Sequence, residues 1–141
     1  MNFYIHSRLS VVDFANKYKD SSIAIISIIE PKDEPINFIH TTISEDKILR
    51  LEFHDIDKPL GKYTTFNKQH ARDILEFVEK QIGLVDFFIV HCHAGISRSA
   101  GVAAALSKIY NGNDDYIFSC GKYIPNKLVY NTILNEYYKG D

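Results

Sequence analysis

Residues 87–90, FFIV, are apolar on both alternating faces, and they run straight into HCHAGISRSAG at residues 91–101. Beyond that, residues 100–110, AGVAAALSKIY, are apolar nearly all round. A strand with no polar face has to be covered on both sides, as in the middle of a sheet flanked by helices. A helix with no polar face has to be buried as well. Strand, short polar loop and helix therefore belong to the interior of the molecule, which restricts the chain to an α/β architecture.

The remaining segments agree with that frame. SVVDFANKYK (residues 10–19) reads as a short amphipathic helix with Ser10 at its N-cap. SIAIISII (residues 22–29) is continuous and β-branched, a second buried strand. EPKDEP breaks the pattern with two prolines, and INFIHTTI (residues 36–43) and KILRLEF (residues 47–53) then alternate as strands do. HDIDKPLGKYTT follows as a loop rich in turn residues. From Asn67 to Ile82 the apolar residues Ala71, Ile74, Leu75, Val78 and Ile82 recur at helical spacing, and Gly83 stands where a helix would stop. PNKLVYNTILNEYY closes the pattern with Leu128, Val129, Ile133 and Tyr137 on one face of a terminal helix. The expected fold is a three-layer α/β sandwich, with a central, mostly parallel or mixed sheet between helices.

The 141 residues, 45% of them hydrophobic, suit a single domain spanning 1–141. A net charge of −2 gives no global attraction to nucleic acid or to an anionic membrane, so neither is an expected partner. The first residues, MNFYIHSRLSVVDF, lack the pattern of a signal peptide, and no apolar run approaches the ~18 residues of a membrane span. Two cysteines, Cys92 and Cys120, are too few for a disulfide framework. Reduced thiols in a cytoplasmic protein are the plain reading.

The loop between the central strand and the buried helix carries the chemistry. Open α/β sheets bind ligands at such strand ends. Backbone N–H groups at a helix start are unpaired and the helix dipole favours negative charge there. Gly95 permits a conformation in which successive N–H groups turn inward as an anion nest. Arg98 adds a planar fork for two phosphate oxygens. Cys92 lies at the base of the same cradle, in surroundings that favour the nucleophilic thiolate, and Ser99 is placed to donate a hydrogen bond to its sulfur. His93, Ala94, Gly95, Ile96, Ser97 and Arg98 thus form a phosphate loop with a nucleophile at its floor.

Cys92, five intervening residues, Arg98 and Ser99, all preceded by His91, resemble the signature loop of the cysteine-dependent protein tyrosine phosphatases. VHCHAGISRSAG looks most like the compact dual-specificity branch. YIPNKLVYNTIL is similar to the Pro-Asn-led helix that follows in that branch, and LRLEFHDID resembles the strand ending in the family's general-acid aspartate. The resemblance implies a phosphatase of phosphotyrosine, and of phosphoserine or phosphothreonine, working through a phosphocysteine intermediate with no metal and no other cofactor. Its catalytic residues are then Cys92, Arg98, Ser99 and an aspartate, and its partner is a phosphorylated protein or peptide. Asp55, 37 residues before Cys92, fits the strand-to-loop pattern better, while Asp57, at 35, has the more usual spacing. His54 departs from the Trp-Pro-Asp form of the larger tyrosine phosphatases.

Other readings attach to the same residues. Phosphoinositide and RNA 5′-phosphatases of that superfamily tend to carry lysines inside the loop, and none stands here. A phosphate-binding pseudophosphatase is the reading from another class, although such proteins usually lose the cysteine, the arginine or the acid. A metal set drawn from His91, Cys92, His93 and His54 is disfavoured, because adjacent residues of an extended segment point apart. Cys120 is read as a structural thiol, with redox pairing to Cys92 as the alternative. Asn126 is expected to brace the start of the terminal helix, and Tyr63 is a candidate for the pocket wall.

Overall fold

The computed structural model describes residues 1–139. Its sheet has four strands, β1 (Phe3–His6), β2 (Ile23–Ile29), β3 (Ile48–Glu52) and β4 (Phe87–His91), in the order β1-β4-β2-β3. Every pair is parallel, with Ile25 opposite both Ile89 and Ile48. The helices are α1 (Val11–Lys17), α2 (Lys68–Gln81), α3 (Arg98–Asn111), α4 (Asp115–Ser119) and α5 (Lys127–Tyr138). Parallel strands need crossovers: α1 lies between β1 and β2 and α2 between β3 and β4, whereas residues 30–47 join β2 to β3 without an α-helix.

Alternation along the two central strands divides the core into two layers. Ala24, Ile26, Ile28, Phe88 and Val90 face α2, α3 and α5, packing with Ile74, Val78, Val102 and Ile133. Ile23, Ile25, Phe87 and Ile89 face the other way, onto Val11 and Ala15 of α1 and onto Ile36 and Phe38. Both central strands are buried along their whole length, as their unbroken apolar runs require. The result is the expected three-layer sandwich with a purely parallel sheet.

Residues 36–43 are not a strand. Their alternation is real, since Ile36 and Phe38 are buried while Asn37 and Ile39 are exposed, but the segment lies over the sheet face instead of joining its edge. Its carbonyls are taken elsewhere: Arg50 Nη1 donates to the Ile36 oxygen at 3.0 Å, and Thr41 N–H and Oγ1 turn back on that of Phe38. A period of two reports packing against one surface and says nothing about ladder partners. Conversely, β1 and the five-residue α4 were not foreseen from the sequence.

The helix ends follow local chemistry. Asn67 Oδ1 accepts from the N–H groups of Gln69 and His70, and His70 Nδ1 accepts from the Asn67 N–H, a capping box that starts α2. Ser10 stands at the N-cap of α1 as read, but its hydroxyl pairs with His6 Nδ1 and with Ser7 and makes no cap bond. On α5 the buried stripe is Val129, Ile133 and Glu136; Leu128 is half-buried and Tyr137 is exposed, which shifts the inward face from the one expected. Among the described residues no helix is long and apolar enough to cross a membrane.

Candidate active site

At the end of β4 the chain turns through residues 92–97 and enters α3 at Arg98. Three loop carbonyls are claimed by backbone from outside. Arg8 N–H donates to His93 O, Ile124 N–H to Ile96 O and Asn126 N–H to Ser97 O, each at 3.0 Å. In a planar trans peptide the following N–H points opposite to the carbonyl. The N–H groups of Ala94, Ser97 and Arg98 therefore face the interior of the loop, which makes it a nest for an anion. Gly95 has φ +71°, and a Cβ there would lie 2.8 Å from the His6 carbonyl carbon and the Ser7 nitrogen, so the position admits only glycine.

Cys92 forms the floor. It is 2% exposed, Gly95 N–H donates to its Sγ at 3.3 Å, and the Ser99 hydroxyl lies 3.1 Å from the sulfur. Arg98, 4% exposed, is held by a hydrogen bond from Nη1 to Phe53 O at 2.9 Å, with Nη2 4.0 Å from Glu30 Oε1. The buried guanidinium is thus anchored by the ends of β3 and β2. A second anchor shows at Gly101, where a Cβ would meet Asn126 O at 2.8 Å, so the first turn of α3 lies directly against the entry to α5.

Behind the loop stands His91, fully buried. Its Nδ1 lies 3.3 Å from Cys92 O, which can only accept, so Nδ1 carries the proton and Nε2 accepts from the Ser27 hydroxyl at 2.6 Å. Burial pushes its pKa down from 6.5 to about 4, so the ring is neutral and works as a brace. The consequence for stability has a definite sign. Between those two values an unfolded chain binds a proton that the folded one does not, so stability falls as pH drops through the window, by roughly 3 kcal/mol from this group. Urea midpoints between pH 7 and pH 4 should show that slope in the wild type and a shallower one in His91→Asn. Equal slopes would place the acid sensitivity in other groups, such as His6 and His70, whose pKa values burial also lowers.

The loop that carries both candidate aspartates leaves β3 after Glu52. His54 and Thr64 close its base through two bonds, His54 N–H to Thr64 O at 2.8 Å and Thr64 N–H to His54 Nδ1 at 2.9 Å. Of the two candidate aspartates, Asp55 is the one brought to the cradle. Its Oδ1 accepts from Ser97 Oγ at 2.8 Å and from Asn126 Nδ2 at 2.9 Å. Asp57 makes no described hydrogen bond to the loop and lines a neighbouring pocket. Tyr63 packs edge-on to the His54 ring at 5.0 Å. His93, Ala94 and Ile96 point their side chains to solvent.

Asn126 does more than the expected bracing. It caps α5 by accepting from Val129 N–H at 3.1 Å, and it also holds the Asp55 carboxylate and Ile56 O. Glu30 and Ser27 were not anticipated, because nothing local to either residue marks it. Cys120 ends α4 as a half-buried free thiol. Among the described residues no group of three or more His, Cys, Asp or Glu side chains is placed to hold a metal ion.

No protein-family model and no curated protein matches the sequence. Solved structures do match in shape. The Cydia pomonella PTP-2 phosphatase superposes with a TM-score of 0.70 at 14% identity, covering 96% of this chain and 85% of that one. Human DUSP28 gives 0.67 at 12% identity, over 97% and 92% of the two chains. The human tyrosine phosphatase-like serine/threonine/tyrosine-interacting protein gives 0.65 at 20% identity, over 98% and 91%. The four-stranded sheet, its flanking helices and the loop at the end of β4 give this chain the fold of the cysteine-dependent protein tyrosine phosphatases, in the compact form of the dual-specificity branch.

Proposed function

We propose that the protein is a cysteine-dependent phosphomonoester hydrolase acting on phosphotyrosine in proteins, and on phosphoserine or phosphothreonine as the likeness to the dual-specificity branch implies. The observation that carries this reading is the convergence of Cys92 Sγ, the inward N–H groups, the buried Arg98 and the Asp55 carboxyl on one loop.

In the first step the Cys92 thiolate attacks phosphorus in line, forming an S–P bond as the ester P–O bond breaks. The departing oxygen takes a proton from Asp55. Because Oδ1 already accepts from Ser97 and Asn126, that proton resides on Oδ2. The loop N–H groups and Arg98 hold the equatorial oxygens while charge redistributes. In the second step the Asp55 carboxylate takes a proton from water, whose oxygen attacks phosphorus and breaks the S–P bond. Inorganic phosphate leaves, and the returning thiolate is stabilised by the Ser99 hydroxyl and the Gly95 N–H.

The test is hydrolysis of p-nitrophenyl phosphate in the presence of EDTA, across pH. Turnover that persists in the chelator is the expected result, since Arg98 and the backbone supply the positive field. Turnover that depends on added divalent metal overturns the mechanism. Tight vanadate binding with no turnover makes the protein a phosphate reader.

A further inference from the structure

Beside the acid loop a pocket of about 480 Å³ opens between residues 55–60, Ser97 and residues 124–127. Its lining includes Asp55 and Ser97, so it is continuous with the rim of the cradle. Two large apolar side chains that the fold leaves in water, Leu60 at 52% and Ile124 at 76% exposure, line it together with the half-buried Ile56. Ile124 is fixed relative to the cradle, because its own N–H holds the Ile96 carbonyl of the phosphate loop. The charged groups in the lining nearly balance, Lys58 and Lys127 against Asp57 and the already engaged Asp55. Apolar groups gathered at the mouth of a polar site mark a contact surface for the ligand.

The opposite flank has another character. There His93 shares a pocket of about 330 Å³ with Arg8, Glu30, Asp33 and Glu34. Glu30 is also 4.0 Å from Arg98, which leaves Asp33 and Glu34 against Arg8, a flank with no surplus positive charge, so a headgroup bearing several phosphates is poorly matched to this cleft. A phosphopeptide brings a single phosphate and carries side chains on both sides of it.

We infer that the pocket formed by Ile56, Leu60 and Ile124 is a subsite for an apolar side chain close to the phosphoresidue of a phosphopeptide. The inference rests on the proposed phosphatase reading for the identity of the group in the cradle. The subsite itself needs only that the cradle hold a phosphate.

A series of phosphotyrosine peptides in a glycine–serine background, with one leucine moved through successive positions on either side of the phosphoresidue, tests it. Two quantities are read: kcat/KM with the wild type and affinity for the Cys92→Ser protein. Leucine at one position is expected to raise both by roughly tenfold over the peptide without it, the effect of partly covering one such side chain. Ile124→Ser and Leu60→Ser should each reduce that ratio markedly. The ratio compares peptides on the same protein, so a general loss of fold or chemistry cancels. A flat series, or a preference that survives both substitutions, overturns the subsite. Tighter competition by a soluble short-chain phosphoinositide than by the best peptide also overturns it. Leucine preference in binding with no turnover upholds the subsite and removes the phosphatase reading, whereas aryl phosphate turnover with no leucine preference does the reverse.

Discussion

Cys92→Ser lowers the rate of aryl phosphate hydrolysis by roughly 10⁴–10⁶, to the level of the background, while the protein still binds vanadate or phosphate. The two halves of that result come from different parts of the loop. A hydroxyl is almost fully protonated at neutral pH where a thiolate is the attacking species, so the chemical step is lost. The nest, by contrast, is made of backbone N–H groups whose carbonyls are held by Arg8, Ile124 and Asn126, and none of these bonds involves Sγ. Serine is also close in shape to the buried cysteine it replaces, so the Gly95 N–H and the Ser99 hydroxyl keep an acceptor or donor at that place. Rapid-quench kinetics and vanadate titration on the same preparation separate the two. Residual turnover within tenfold of wild type would remove Cys92 from the reaction.

The second large effect belongs to Asp55→Asn. Loss of the proton donor should lower kcat by about 10²–10⁴ on phosphotyrosine, whose leaving oxygen needs protonation, and by less on substrates with more acidic leaving groups. The basic limb of the pH profile, where a general acid gives up its proton, should flatten with it. Asparagine retains an oxygen to accept from Ser97 and Asn126, so the loop stays in place and the loss is chemical. Asp57→Asn is the internal comparison, expected to remain within a few-fold of wild type because its carboxyl does not reach the cradle. If the two variants exchange behaviour, the acid loop reorganises on binding and Asp57 is the donor.

Most elements were legible because each has a local cause. The unbroken apolar runs of β2 and β4, the helical spacing of α2 and the all-round apolarity of α3 are properties of adjacent residues. The composition of the loop was legible for the same reason, since the candidate nucleophile, the glycine of the nest and the arginine all lie within residues 92–98. What failed depended on partners distant in sequence. Ile36 and Phe38 alternate like a strand, yet only the sheet could decide whether they would pair with an edge or lie on a face. Glu30 becomes an arginine partner only because β2 ends next to β3 and β4. Asp55 is the aspartate that Ser97 and Asn126 hold at the cradle, the latter 71 residues away, and no spacing rule contains that contact.

The backbone bonds from Arg8, Ile124 and Asn126 also bear on how such a loop can change over generations. Its shape is set by main-chain groups, which any sequence supplies, together with one glycine that cannot be replaced. His93, Ala94 and Ile96 therefore contribute side chains to the mouth of the cleft without contributing to its geometry. Substitution at those three positions can redirect the choice of ligand while the reaction centre is inherited intact, so specificity and chemistry are free to drift at different rates.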